Sequence, residues 1–443
     1  MTVSRPIGKN AQVALFKRET IEGTYVAPTI PMHFVSESMK YAPQSIEDPS
    51  NIGQLFTSDL IKTGYTVEGG VEMKAHPYFV GDALYWTLGK EDTVVNPVQG
   101  FLIFWYKGAE RWLRCRKTGT TIICEKSTDG TTWVAETNFG TAGTYTITGL
   151  TLTQIATAIG AFTGYKATYV GYGASPIANL ADWSNTLFIN DGFPAGACIQ
   201  PYLVTSTIAK MHHIYADPTV LTDLPSFSAC IDRNFGATTK DIALSGCKIT
   251  SLGITLEPKN LVALAVSMSA KVQANNATFP AGGVQASKAF ATNMAKVIVD
   301  SLLVQDVKQF GITIANNFFK DESVGVDTFN SQGRQGATID VSGTFNLTVT
   351  DATDEETRAL MDKMMADTPI EIIMYLEGAD YADLTNNAKY SVLVRCRTVK
   401  LSECAPVVSG PDRQTLPLAG KVVANQFGYH LDAYVTNKLI TQY

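Results

Sequence analysis

Glu68, Glu72 and His76 stand four residues apart in the segment TVEGGVEMKAHPYFVGDALYWTLG, and Asp82 follows shortly after. Carboxylates and an imidazole are side chains that ligate metals or move protons. A four-residue step returns to one face of a helix, and even-numbered residues also share one face of a strand, so both conformations bring the three together. A metal site would want closely convergent His or carboxylate ligands. The polar side of a structural strand would need nothing more, and the rest of the chain has to decide.

Other reactive residues read as structural. STDGTTWV (127–134) resembles the Asp box of sialidases, S-x-D-x-G-x-T-W, but is one residue short and occurs once. An Asp129-Gly130 hairpin with Trp133 packed beneath it is the better reading. His212 and His213 are neighbours in MHHIY, and neighbours on a strand point to opposite faces, so they do not chelate together. Cys230, Cys247, Cys396 and Cys404 have no His nearby in sequence, and a buried thiol without an activating base stays inert. All seven cysteines form an odd set without C-x-x-C, so neither a disulfide framework nor a zinc ribbon is expected. No G-x-S-x-G, Walker loop, strand-borne G-x-G-x-x-G or H-E-x-x-H occurs. With five His in 443 residues, the expectation is a protein that is not an enzyme, with no catalytic residues, no metal site and no cofactor.

The scaffold behind these residues is mainly antiparallel β. Charged residues make up 17% of the chain, below the usual quarter, which suits strands with polar, uncharged faces. A formal net charge of -6 argues against a surface that clamps nucleic acid, because such binding needs clustered Lys and Arg. No apolar run reaches the roughly 20 residues that span a bilayer, and the first residues do not read as a secretory signal. Membrane insertion is therefore not expected.

In ATIDVSGTFNLTVT, Ile339, Val341, Phe345, Leu347 and Val349 point one way and Asp340, Ser342, Thr344, Asn346 and Thr348 the other. DATDEETRALMDKMM follows as a short helix, with Asp351 or Thr353 as cap and Leu360 and Met364 on one face. The opening segment repeats this plan. Val67, Val71, Met73 and Ala75 share a face, and a helix over 76–89 turns Leu84 and Leu88 inward and stops at Gly89. Laid over each other at Val67 and Val341, the two copies keep polarity but not chemistry: Glu68, Glu72 and His76 meet Ser342, Asn346 and Thr350. The bland reading of the opening residues is therefore favoured.

Each copy is preceded by a long polar stretch, 41–64 and 316–336, longer than a turn requires and so suspect as a binding element. FSACIDR with DIALSGCKITSLGITLEPKNLVALAVSMSAKV (227–272) is echoed by IEIIMYL with YSVLVRCRTVKLSECAPVVSGPDRQTLPLAGKVV (370–423). An internal duplication accounts for both echoes. The expected division is 1–96 with 206–300 as the first unit, 97–205 as an inserted α+β module, 301–424 as the second unit and 425–443 as a C-terminal extension. The insertion reads as strands GFLIFWYK, RWLRCRKT, TTIICEKS and TWVAET and a Thr-capped helix TLTQIATAIGAF, decorating the outside of the repeats.

The order of these segments, above all LSGCKITSLGITLEPKNLVALAVSMSAKV, with VKQFGITIANNF, GTFNLTVT and GPDRQTLPLAGKVVA, resembles the tail tube (major tail) proteins of long-tailed bacteriophages. The resemblance covers most of 34–96 and 226–424. It implies two tandem β-sandwich or half-barrel units with short flanking helices, whose sheets join those of neighbours into a barrel ring, and rings that stack into a hollow tube conducting DNA into the host. Two units per chain would let three chains form a pseudo-hexameric ring; a single unit would require six. The implied partners are further copies of itself, other tail proteins (tape measure, terminator, baseplate or distal tail protein) and DNA in transit. The implied location is the virion tail, assembled in the host cytoplasm.

On this reading Glu68, Glu72, Lys74, Ser342, Thr344, Asn346 and Thr348 are candidates for the lumen. Gln44, Glu47, Asp48, Asp59, Lys320, Asp321, Asp327 and Arg334 are candidates for loops reaching the next ring. Two alternatives stay open: another tail ring component, such as a terminator or baseplate protein, and a glycan-binding β-protein that stacks sugars on Trp112, Trp133 and Tyr106.

Overall fold

The computed structural model describes residues 11–47, 60–92, 94–108, 112–189, 197–216, 224–233, 241–283, 287–304, 306–321, 330–346, 359–406, 414–423 and 430–439, without the side chains of 184–189, 276, 319–321, 330–336 and 346. The chain is mainly β, as its alternation predicts, and the long ladders are antiparallel.

Eight strands follow one another across the central sheet. Their order is Lys40–Glu47, Leu60–Lys74, Ala263–Ala270, Asp241–Leu256, Val307–Asp321, Asn330–Asn346, Thr415–Val422 and Ala388–Glu403. Positions one to four and five to eight repeat one arrangement: a hairpin, then the later of two returning strands, then the earlier. The two runs meet where Leu252 pairs with Ile314 and Gly253 with Thr313. Strict alternation puts Val67, Val71, Met73, Leu264, Val266, Ile312, Ile314, Val341 and Leu418 into one core behind this sheet.

The strand Asp241–Leu256 serves two ladders. Its first half pairs with Phe227–Asp232 and Val272–Ala277, and its second half enters the eight-strand run. Ala388–Glu403 does the same, pairing first with Ile370–Asp383 and Leu431–Asn437 and then with Thr415–Val422. Leu431–Asn437 lies between Ala388–Glu403 and Lys210–Tyr215, with most of its side chains buried, so this part of the C-terminal segment is a central strand.

Helix α1 (Pro77–Leu88) covers the core. Pro77 occupies the first turn, where a missing N–H costs nothing, and Gly89 ends the helix at φ 94 with its N–H on the Tyr85 carbonyl. Ten of its twelve residues are buried, so it is packed on every side and not only along the Leu84–Leu88 face. In the second half a helix spans 359–365, with Leu360 buried and Met364 against the same core. Its proposed caps, Asp351 and Thr353, lie outside the described residues.

Residues 98–203 carry two smaller sheets and α2 (Leu152–Gly160), opened by the expected Thr151 in a capping box with Gln154. The strand Val98–Tyr106 is buried along its whole length. Leu102, Phe104 and Tyr106 enter a core with Phe139 and Ile155, while Phe101, Ile103 and Trp105 pack against Ile373, Tyr375 and Leu393 of the main body. Each of those last three side chains contributes roughly 2 kcal/mol by burial. A buried Arg395–Glu371 pair adds to the joint, with Trp105 and the Ala197 N–H both donating to Glu371.

The cysteine expectation is corrected here. Cys115 and Cys124 form a disulfide, because the hairpin of Trp112–Thr118 and Thr121–Ser127 sets them directly opposite each other. The remaining five cysteines are buried thiols.

Candidate functional site

Main-chain alternation builds the candidate site. With Val67, Val71 and Met73 in the core, Glu68, Gly70, Glu72 and Lys74 must face the other way. Glu68 lies opposite Ser269, Gly70 opposite Ser267, Glu72 opposite Ala265 and Lys74 opposite Ala263. The same face continues through Ser251, Gly253 and Thr255, then Gly311, Thr313 and Ala315, then Asp340, Ser342 and Thr344, then Pro417, Ala419 and Lys421, and reaches the eighth strand at Lys400, opposite Lys421 and paired with Asp367. Glu68, Glu72, Lys74, Ser342 and Thr344, from both four-strand sets, therefore share one face of one sheet. The backbone of Asn346 continues that ladder, while Thr348 lies outside the described residues.

This face is wide, shallow and made of small residues. Where it curves, it forms a trough of about 1170 Å3 lined by Glu68, Glu72, Thr250, Ser267, Ser269 and Asn317. Charges are balanced across it. Glu68, Glu72 and Asp340 are offset by Lys40, Lys74 and Lys421, and Lys421 sits 3.7 Å from Asp340. Glu72 accepts a hydrogen bond from Ser36 at 2.9 Å. Sequence reasoning missed the contributions of 251–255, 263–269 and 311–315. Alternation in LGITL, ALAVSMSA and FGITIA carried the signal, but the order of strands was needed to join them.

His76 departs from the expected set. The strand ends at Lys74, and His76 caps α1, stacked on His33 at 4.6 Å with Nδ1 2.9 Å from the Ser287 carbonyl. Burial and the adjacent His33 hold its pKa below the ordinary value, against the Ser287 hydrogen bond. Asp82 belongs to α1, where burial raises its pKa to about 8. The opening quartet is thus divided between a sheet face, a helix cap and a helix interior. Among the described residues no group of three or more His, Cys, Asp or Glu is placed to hold a metal ion.

The sheet's two outer strands differ from its inner ones. Lys40–Glu47 pairs with Leu60–Lys74 alone, and beyond Val399 the strand Ala388–Glu403 pairs with Thr415–Val422 alone, among the described residues. Unpaired edges are templates for another strand. Arg233 already donates to the Met39 carbonyl, so the open stretch on the first edge begins at Lys40.

Both hairpins run past the sheet. Residues 60–66 pair only with 40–47, about 20 Å beyond the last contact with Ala263–Ala270, and 330–337 continue past Thr415–Val422 in the same way. Gln44 and Glu47 are exposed on the first hairpin, on a strand and not in a loop as expected. Lys320, Asp321 and Arg334 are likewise on the strands of the second. Asp48, Asp59 and Asp327 lie outside the described residues.

The remaining candidates are structural. His212 and His213 do face opposite ways. His212 Nδ1 is 2.5 Å from Glu91, whereas His213 lies 2.7 Å from Asp92 and 3.4 Å from Asp432 and stacks on Tyr434. Burial pushes the Cys230 and Cys404 thiols up to about 11 and raises Cys247 and Cys396 as well. In the Asp129-Gly130 turn, Asp129 accepts from the N–H groups of Thr131 and Thr132. Trp112, not Trp133, lies against Gly130, and Trp133 carries the Arg114 guanidinium at 4.3 Å. Tyr106 is buried in the core with Phe139 and Ile155, so it leaves the proposed set of stacking aromatics.

A mainly antiparallel β-protein with a broad neutral sheet face, open outer edges and two projecting hairpins is the class these features define. The family model described as phage tail tube protein matches residues 8–412, and the chain belongs to that family. It is thereby a structural component of a phage tail. No curated protein matches the chain. Among the described residues no helix is long and apolar enough to cross a membrane.

Proposed function

We propose that this chain polymerises into the tail tube itself, as stacked rings of three copies, with the broad polar face lining a channel through which DNA leaves the particle. One observation carries the reading. Two four-strand sets of the same order already join edge to edge inside the chain, through Ser251–Leu256 and Phe310–Ala315. The outer strands Ala388–Glu403 and Lys40–Glu47 hold the same places in the strand order of the two sets as Asp241–Leu256 and Val307–Asp321, so one copy can offer the next a junction of the same kind.

Eight strands from each of three chains give a barrel of twenty-four. At about 4.8 Å between strands and a tilt near 40°, its backbone diameter is roughly 40–50 Å. Barrels of 16–18 strands already enclose a channel. A lining of Ala, Gly, Ser and Thr keeps this one wide. Its balanced charges offer DNA little counterion release, so a duplex passes without being held.

The ring is tested by cysteines placed pairwise along 400–403 and 40–44 of the full chain. Oxidation should link three copies into one closed species, and failure of every pair to link copies contradicts the junction. The lining is tested by Glu68→Lys with Glu72→Lys. Phage carrying both changes should assemble tails but eject DNA more slowly at low salt than at high salt. Ejection rates identical to the parent at every salt concentration would remove these residues from the channel.

A further inference from the structure

A cavity of about 150 Å3 lies between residues 98–203 and the turn that joins Ile370–Asp383 to Ala388–Glu403. Gln99, Gly171, Tyr172 and Gly173 line it from one side, and Glu377, Tyr381, Asn387 and Lys389 from the other. Two of these side chains are aromatic and meet water: Tyr172 is 44% exposed and Tyr381 36%. Single exposed aromatics need no explanation, but packing does not account for two rings on one small cavity.

The polar groups beside the rings are held in place. Glu377 accepts from Lys389 Nζ at 2.6 Å, and Lys389 lies 5.8 Å from the centre of the Tyr381 ring. The second Glu377 oxygen takes a long 3.4 Å bond from the Tyr375 hydroxyl, which leaves it able to accept a shorter one. Gln99 is 9% exposed, and its amide is fixed by donation to the Asn386 carbonyl and by acceptance from Asn179 Nδ2 at 2.8 Å. Gly171 and Gly173 form a wall of bare backbone. A Cβ at Gly171 would lie 2.5 Å from the Gln99 carbonyl oxygen and 3.2 Å from Tyr375 Oη, so no side chain fills the cavity from that wall.

We infer that this cavity binds one neutral sugar ring, a hexose or its N-acetylated form, with Tyr172 and Tyr381 as its apolar contacts. Size, charge and chemistry choose this class together. The volume is below the roughly 300 Å3 at which pockets for larger organic ligands begin. Glu377 and Lys389 neutralise each other, so the site gives no net attraction to an ion. Carboxylate, ammonium and amide groups side by side pair with hydroxyls, which both donate and accept, while tyrosine rings cover the C–H faces of a sugar.

The cavity is also away from the edge through which copies would join. Lys389 lies about 30 Å along Ala388–Glu403 from Val399, beyond which that outer edge begins. A tube of stacked copies would carry the site many times over. Weak sites repeated in this way act together on a surface that displays the same sugar.

The test is saturation-transfer NMR on the purified full-length chain with glucose, galactose, mannose, N-acetylglucosamine and N-acetylgalactosamine. At least one should bind in the millimolar range, as a single small ring does. Tyr172→Ala and Tyr381→Ala, both at exposed positions, should each weaken it about tenfold or more, whereas Tyr381→Phe, which keeps the ring, should bind as the parent does. The same sugar linked in an oligosaccharide separates two sources. Linked rings that bind at least as well as the free one identify a glycan chain, and binding of the free ring alone identifies a soluble sugar. Absence of binding by all five sugars far above the millimolar range would overturn the inference. Alanine variants that bind like the parent would overturn it too, and variants that instead fail to assemble would mark the rings as a protein contact.

Discussion

Replacing Glu371 should loosen the joint between residues 98–203 and the main body, and the size of the effect follows from its surroundings. Glu371 is 2% exposed and Arg395 5%. One carboxylate oxygen accepts from Arg395 Nε at 2.5 Å, and the other from Trp105 Nε1 and the Ala197 N–H, both at 2.7 Å. The guanidinium cannot shed its proton, so Glu371→Ala strands a buried charge together with two buried donors. Breaking such a pair costs about 3–5 kcal/mol, and Glu371→Ala belongs at the upper end. Glu371→Gln retains one acceptor oxygen and should cost about 3 kcal/mol. Removing both charges, as Glu371→Leu with Arg395→Met, should recover part of the loss but not all, because Trp105 and Ala197 still lack acceptors. Urea unfolding followed by Trp fluorescence reads the total. Hydrogen exchange across 98–106 should show that strand opening first. A loss below 1 kcal/mol for Glu371→Ala would refute the argument that this pair fastens residues 98–203 to the main body.

Three further outcomes are expected. Burial alone would lower the His213 pKa, but hydrogen bonds and charges from Asp432 and then Asp92 outweigh it and raise it. The stability it contributes is therefore complete below the ordinary imidazole pKa of about 6.5 and lost as pH rises through the raised value. His213→Gln should flatten melting temperature against pH over that window, and an unchanged slope would exclude the role. Replacing Cys115 and Cys124 by Ser should cost about 2–3 kcal/mol in oxidised protein and nothing further under reductant, read by melting with and without dithiothreitol. Gly89→Ala should cost about 1–2 kcal/mol in denaturant unfolding, because φ is 94 and the new methyl would press on Leu224.

What the sequence makes legible is local. Alternation in ATIDVSGTFNLTVT and TVEGGVEMKA places Val341 and Val67 in the core and Ser342 and Glu68 opposite, because a strand has a period of two whatever it pairs with. Pro77, Gly89 and Thr151 mark helix ends through backbone conformation alone. Less visible is anything that depends on which strands meet. Ser267 and Thr313 join the same face as Glu68 only through pairings between distant segments. His76 was misplaced because even spacing does not reveal that the strand has ended two residues earlier. The disulfide lay within reach: the tight turn between Thr118 and Thr121 already sets Cys115 opposite Cys124.

Electron microscopy of the purified chain, with subunit mass determined per ring, tests the central claim most directly. The account predicts hollow tubes of regular ring spacing, with three chains of 47.9 kDa in each ring. Rings of six chains would contradict the paired-sheet closure, and particles that remain monomeric at high concentration would contradict the tube.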